Sequence, residues 1–108
     1  MKWPSLLLTL TLVSFNSSTF AGGDDNPLVS IKDFKFIPQE ITIKRGQSIN
    51  WLNQEKRQYH SVWFEKLGLA ESDYLFPSDS YEQKFDHKGS FPYRCGPHPQ
   101  MTGLVIVE

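Results

Sequence analysis

The stretch Ser90–Glu108 reads SFPYRCGPHPQMTGLVIVE. Its first half alternates: Phe91, Tyr93 and Cys95 share one face, with Ser90, Pro92 and Arg94 on the other. Its second half, GLVIVE from Gly103, is a short apolar run able to close a sheet. Period-two alternation is the mark of a half-buried strand, because successive side chains of extended backbone point to opposite faces. Between the two strands lies the loop CGPHPQM, Cys95 to Met101. Pro97 and Pro99 fix φ on either side of His98, and Gly96 relaxes the backbone just after Cys95. A loop stiffened in this way loses less entropy when its side chains are brought to one point.

The same alternation continues upstream. ITIKRG puts Ile41 and Ile43 on one face, with Gly46 in the turn after them. SINWLN pairs Ile49 with Trp51, HSVWF aligns His60, Val62 and Phe64, and YEQKF sets Tyr81 with Phe85. Strands at this density, separated by turn signals, predict an all-β protein: an antiparallel sandwich or barrel. The stretch Glu65–Asp79 breaks the pattern with Gly68, Pro77 and small polar residues, and reads as a long loop or short helical turn. Trp63 falls on the strand face opposite His60, Val62 and Phe64, so it is expected to point outward under the cover of that loop.

A chain of 108 residues predicts one domain. Its start has the form of a signal peptide: Lys2, an apolar run from Leu6 to Phe15, then a polar stretch ending at Ala21. Cleavage after Ala21 gives a domain of residues 22–108, exported to the periplasm, and begins it with the flexible lead GGDDNP. The apolar run is shorter than the roughly 20 residues that span a bilayer, so no stable membrane insertion is expected. Loss of Lys2 takes the formal net charge from −1 to −2. No basic patch exceeds Lys56-Arg57, which argues against nucleic acid as a partner. A domain this small is marginal without a staple or a metal.

An exported chain usually carries its cysteines in pairs. Cys95 is the only one here, so it makes no internal disulfide and is an inert thiol, an intermolecular bridge, or a ligand or reactive group. The alternation turns Cys95 and His60 toward the interior, each at the end of its strand, although 35 residues separate them. Cys95, His98 and Met101 fall at i, i+3 and i+6. Three residues span about 10 Å when extended, so the loop must curl for the three side chains to meet. Taken singly, a loop methionine is ordinary core filler and a histidine between prolines is ordinarily exposed. Taken together with His60, they offer two imidazoles, a thiolate and a thioether. A His₂Cys plane with a weak axial Met is the geometry of electron-transfer copper. Zinc is the competing metal, but it makes little use of methionine. His87, in the turn DHKG, reads as solvent-exposed.

The segments FIPQEITIKRGQSINWLN and FPYRCGPHPQMTGLVIVE, with a histidine between them, resemble the cupredoxins, the small blue copper proteins. The resemblance runs from Phe36 to Glu108, and the short loop CGPHPQM is most similar to those of amicyanin and pseudoazurin. It implies a Greek-key β-sandwich of about eight strands, with one type 1 copper ion held by His60, Cys95, His98 and Met101. It also implies a monomer that cycles Cu(II) and Cu(I) for one-electron transfer, meeting a redox partner protein at the surface around His98. Copper oxidases and nitrite reductases need further histidines, and only His87 is left over, so no enzyme is expected. One residue departs from the pattern: close relatives often have Asn, not Ser61, after the first histidine, where it ties the ligand loops together. The segment YHSVWFEKLGLAESDYLFPSDSY also resembles periplasmic cupredoxins associated with copper tolerance, which implies copper handling as the alternative role.

Overall fold

Trp51 sits at the centre of the interior, fully buried, with Phe64 and Tyr93 edge-on to it at ring separations of 6.1 and 5.4 Å. Its Nε1–H donates to the Tyr93 hydroxyl at 3.2 Å, so the one polar atom of the indole is satisfied without water. Around this cluster the computed structural model, which describes residues 26–108, wraps two sheets. The signal peptide expected at 1–21 lies outside the described residues.

The strands are β1 (Leu28–Lys32), β2 (Lys35–Ile37), β3 (Glu40–Ile43), β4 (Ser48–Asn53), β5 (Ser80–Lys84), β6 (Gly89–Arg94) and β7 (Thr102–Val107). One sheet has the order β2-β1-β4-β5 and the other β3-β7-β6. The chain therefore passes from one sheet to the other after β2, after β3 and after β5. Val29, Ile31 and Ile49 of the first sheet face Tyr93, Val105 and Val107 of the second, all buried. Each such side chain taken out of water contributes roughly 1.5–3 kcal/mol.

The all-β sandwich is as the alternation predicts, and three details differ from it. First, the sheets are mixed, because β1 runs parallel to β4 and β3 parallel to β7. Both pairs join strands connected by crossovers between sheets, where no hairpin forces opposite directions. Second, β1 and β2 lie upstream of the strands that alternation marked. They are short, and their turn carries Asp33 and Phe34 at φ 53° and 57° in place of the usual glycine signal. Third, there are seven strands among the described residues, because His60–Phe64 forms no ladder. It is held by isolated bridges, His60 to Leu75 and Trp63 to Arg94. The amides between those bridges go elsewhere: Ser61 N–H to Cys95 Sγ and Val62 N–H to the Ser72 hydroxyl.

Asn53 ends β4 and sets the path of the chain beyond it. Its side chain is buried, donating to the carbonyls of Gln58 (2.9 Å) and Leu75 (2.7 Å) and accepting the Glu55 N–H (2.8 Å). The chain is thereby bent back so that His60 arrives beside the end of β6, where Cys95 stands.

Candidate metal centre

His60 and Cys95 are both fully buried, as their places in the alternation predict. Cys95 Sγ lies 3.6 Å from His60 Nδ1 and 3.5 Å from His98 Nδ1. All three donor atoms fall within 4.8 Å of one another. The loop curls through two backbone hydrogen bonds, from Cys95 N–H to the Met101 carbonyl (3.0 Å) and from Met101 N–H to the His98 carbonyl (2.9 Å). This turn buries Met101 and leaves His98 half-buried at the surface, flanked by exposed Pro99 and Gln100. His87 is exposed and stands outside the cluster.

The outer nitrogen of His60, Nε2, meets Glu55 Oε2 at 3.0 Å. A carboxylate there holds the proton on Nε2 and leaves the Nδ1 lone pair facing the thiol. Burial pushes the His60 imidazole below its ordinary pKa, against the pull of Glu55 and with some help from His98. The ring is therefore neutral, the form that ligates. Burial also works to raise the Glu55 carboxyl, but the Phe34 N–H (2.9 Å), His60 and the backbone of Asp33 outweigh it and hold it below the usual range. At Cys95, burial raises the thiol, and the Ser61 N–H on Sγ (3.4 Å) opposes that rise. A bound cation would displace this proton and take the thiolate as ligand.

The donors fit a small soft metal. Bonds of roughly 2.0–2.3 Å meeting at about 110–120° set two donors about 3.5–3.8 Å apart, which is the spacing found from Cys95 to each histidine. Two imidazoles and one thiolate suit copper in both oxidation states.

Sequence reasoning missed Glu55, Phe34 and Arg94. Phe34 stands edge-on to both imidazoles, with ring separations of 4.9 Å to His98 and 5.5 Å to His60. The Arg94 Nη1 donates to the carbonyls of Cys95 (3.0 Å) and Gly96 (3.1 Å), Nε donates to Glu65 (2.7 Å), and the guanidinium lies 4.5 Å from the Trp63 ring centre. Trp63 is thus half-buried, its face under Arg94 and its Nε1–H on the Leu69 carbonyl (3.1 Å). The long loop covers one edge of it and not the whole ring. One signal was available: a buried ligand imidazole needs an acceptor on its second nitrogen, and Glu55 is the nearest upstream carboxylate to His60.

Two imidazoles and a thiol, convergent at one end of a mixed β-sandwich with His60 and Cys95 fully buried, define a protein built around one copper ion. The comparisons agree, and the chain belongs to the family described as copper binding proteins, plastocyanin/azurin family, which matches residues 26–108. It is 36% identical over 88 residues to amicyanin from Paracoccus versutus, covering 78% of this chain and 66% of that protein. It is 33% identical to the chloroplastic plastocyanin of Tetradesmus obliquus over 111 residues, covering 93% and 72% of the two chains. The crystal structure of the Paracoccus versutus amicyanin superimposes with a TM-score of 0.72, covering 79% of this chain and 83% of that one at 36% identity. A Cu(I) structure of an amicyanin variant gives 0.73 at 28% identity, covering 79% and 84%. The amicyanins and plastocyanins among these relatives are electron carriers, not enzymes.

Proposed function

We propose that this protein is an exported type 1 copper protein that carries one electron at a time, and that His60, Cys95, His98 and Met101 would hold the ion. The observation that carries this reading is that Cys95 Sγ lies 3.5–3.6 Å from both Nδ1 atoms, with Cys95 and His60 fully buried. Bound copper supplies the one-electron couple between Cu(II) and Cu(I). The chain's own part is to hold a donor set suited to both states, so that little moves when the electron does. Glu55 sets the His60 tautomer, burial excludes water, and Phe34 shields the two rings.

His98 is the exit to a redox partner. Around it stand the exposed aromatics Phe34, Tyr59, Tyr74 and Phe76. Tyr59 lies 6.3 Å from His98 by ring centres and stacks against Tyr74 (5.0 Å) and Phe76 (5.6 Å). An apolar rim is desolvated at low cost, which suits a brief encounter.

The test is the visible spectrum of purified protein from Gly22 to Glu108 loaded with Cu(II). An intense thiolate-to-copper band is expected, lost in Cys95→Ser and kept in Met101→Leu with a shifted potential. Full colour in Cys95→Ser would refute the site. Mass spectrometry of native protein is expected to find an N-terminus near Gly22. Deleting the gene separates carrier from copper handling: copper-sensitive growth rescued by the native protein, and not by Cys95→Ser, would transfer the role to copper tolerance.

A further inference from the structure

The donors come from two loops, the segment that carries His60 and the turn from Cys95 to Met101, and Ser61 bridges them twice. Its N–H reaches Cys95 Sγ, and its hydroxyl accepts the Gly96 N–H at 2.8 Å. The same hydroxyl donates its proton to Glu71 Oε2 at 2.7 Å. Ser61 is fully buried, so no water competes for these bonds. A serine hydroxyl rotates freely until a strong acceptor claims its proton, and a carboxylate is such an acceptor. With the O–H aimed at the Glu71 carboxylate, a lone pair of Oγ is turned toward Gly96.

Gly96 gives a second, independent sign. Its φ is not in the left-handed region, so the backbone does not require glycine there. Space does: a Cβ would collide with the Glu71 carboxylate and come within 2.9 Å of Ser61 Oγ. Glu71 belongs to the Glu65–Asp79 loop, to which the sequence assigns no role in the site. Its carboxylate packs against the residue just after the thiol.

We propose that Ser61 and Glu71 act as one positioning unit that ties the two donor loops together and sets a fixed negative charge beside the thiolate. The inference rests on the reading of His60, Cys95 and His98 as copper ligands. Glu71 acts on that site through Ser61 and Gly96. A shorter residue at 61 is thereby extended by a second side chain, and the loops stay joined. The charge has a further effect. The oxidised site carries one more positive charge than the reduced site, so a carboxylate nearby favours Cu(II) and lowers the reduction potential.

The test uses hydrogen exchange of the Gly96 amide in copper-free protein, with the core amide of Ile49 as reference, and the reduction potential of copper-loaded protein. Ser61→Ala and Glu71→Ala are each expected to speed Gly96 exchange by about tenfold, the loss of one ordinary hydrogen bond, with Ile49 unchanged. The double variant is expected to be no faster than the faster single, since the two act as a unit. Glu71→Gln keeps an oxygen for the Ser61 proton, so it is expected to restore Gly96 protection while raising the potential above that of the native protein. A packing role alone would not raise the potential with protection intact. Gly96 exchange within about twofold of native in Ser61→Ala or Glu71→Ala, additive effects in the double variant, or an unchanged potential in Glu71→Gln would each overturn the proposal. If Glu71→Ala does not fold, Ser61→Ala and Glu71→Gln still decide it. Failure of the copper reading would show separately, as native protein without the visible band, and the exchange data would still judge the tie between the loops.

Discussion

Gly103 stands opposite Tyr93 in the β6–β7 register, and the phenol ring fills the space where its Cβ would be. Gly103→Ala must push the ring into a packed core, so a loss of about 1–3 kcal/mol is expected in urea unfolding of the copper-free protein. An unchanged midpoint would show that the ring is free to move. Tyr93 also carries a pH dependence. Burial raises its phenol far above the ordinary range, outweighing the Trp51 N–H that works to lower it, and burial raises Tyr81 as well. A group whose folded pKa lies above its unfolded one gives stability that is whole below the unfolded value, about 10 for tyrosine, and is lost as pH rises beyond it. Alkaline titration is therefore expected to show these phenols ionising together with loss of the near-ultraviolet dichroism. Ionisation of every tyrosine before any loss of that signal would contradict the burial.

The segment from Asn53 to Phe64 shows how an element without a ladder is held. The Ser61 and Val62 amides are spent on side chains, on Cys95 Sγ and the Ser72 hydroxyl, those of His60 and Trp63 go to the Leu75 and Arg94 carbonyls, and its start is held by the three hydrogen bonds of the buried Asn53 side chain. Asn53→Ala leaves the carbonyls of Gln58 and Leu75 and the Glu55 N–H without that partner. A cost of about 1–3 kcal/mol per group left buried and unpaired is expected, with faster exchange of the His60 and Leu75 amides as the local readout. Unaltered exchange at both would show that the backbone bonds between His60 and Leu75 suffice. Alternation found this segment through the buried face of His60, Val62 and Phe64, although Ser61 on the other face is buried too. His60, Val62 and Phe64 are buried and Trp63 is half-buried, although no sheet forms. Side-chain period reports which way residues face, and a ladder needs a free partner edge as well. For the same reason alternation could not reveal the parallel pairs, which depend on how the crossovers return the chain.

For the molecule as a whole, a single metal is the one cross-link available, since Cys95 is the only cysteine. A ligand that binds only the folded state adds about 2.7 kcal/mol when its free concentration is 100 times Kd. For a domain of this size that amounts to a rise in Tm of about 10–20 °C. Copper-loaded protein is therefore expected to melt higher than copper-free protein. The difference is expected to vanish after chelation and in Cys95→Ser, as checked by calorimetry. Equal melting of loaded and stripped native protein would mean that copper is not bound at a site the fold creates.

The sandwich, the inward thiol and imidazole, and the donor loop were legible in the residue order because period-two alternation and short spacings are local. Cys95, His98 and Met101 lie within one turn of chain, and two prolines already restrict its path. The rest depended on residues brought together from afar. Glu55 holds His60 only because Asn53 bends the chain, and Phe34 reaches both imidazoles only because the β1–β2 turn folds over them. Glu71 crosses to Ser61 and Gly96 from a loop with no pattern of its own. Such contacts follow from where the crossovers set each loop, and no periodicity along the chain encodes that placement.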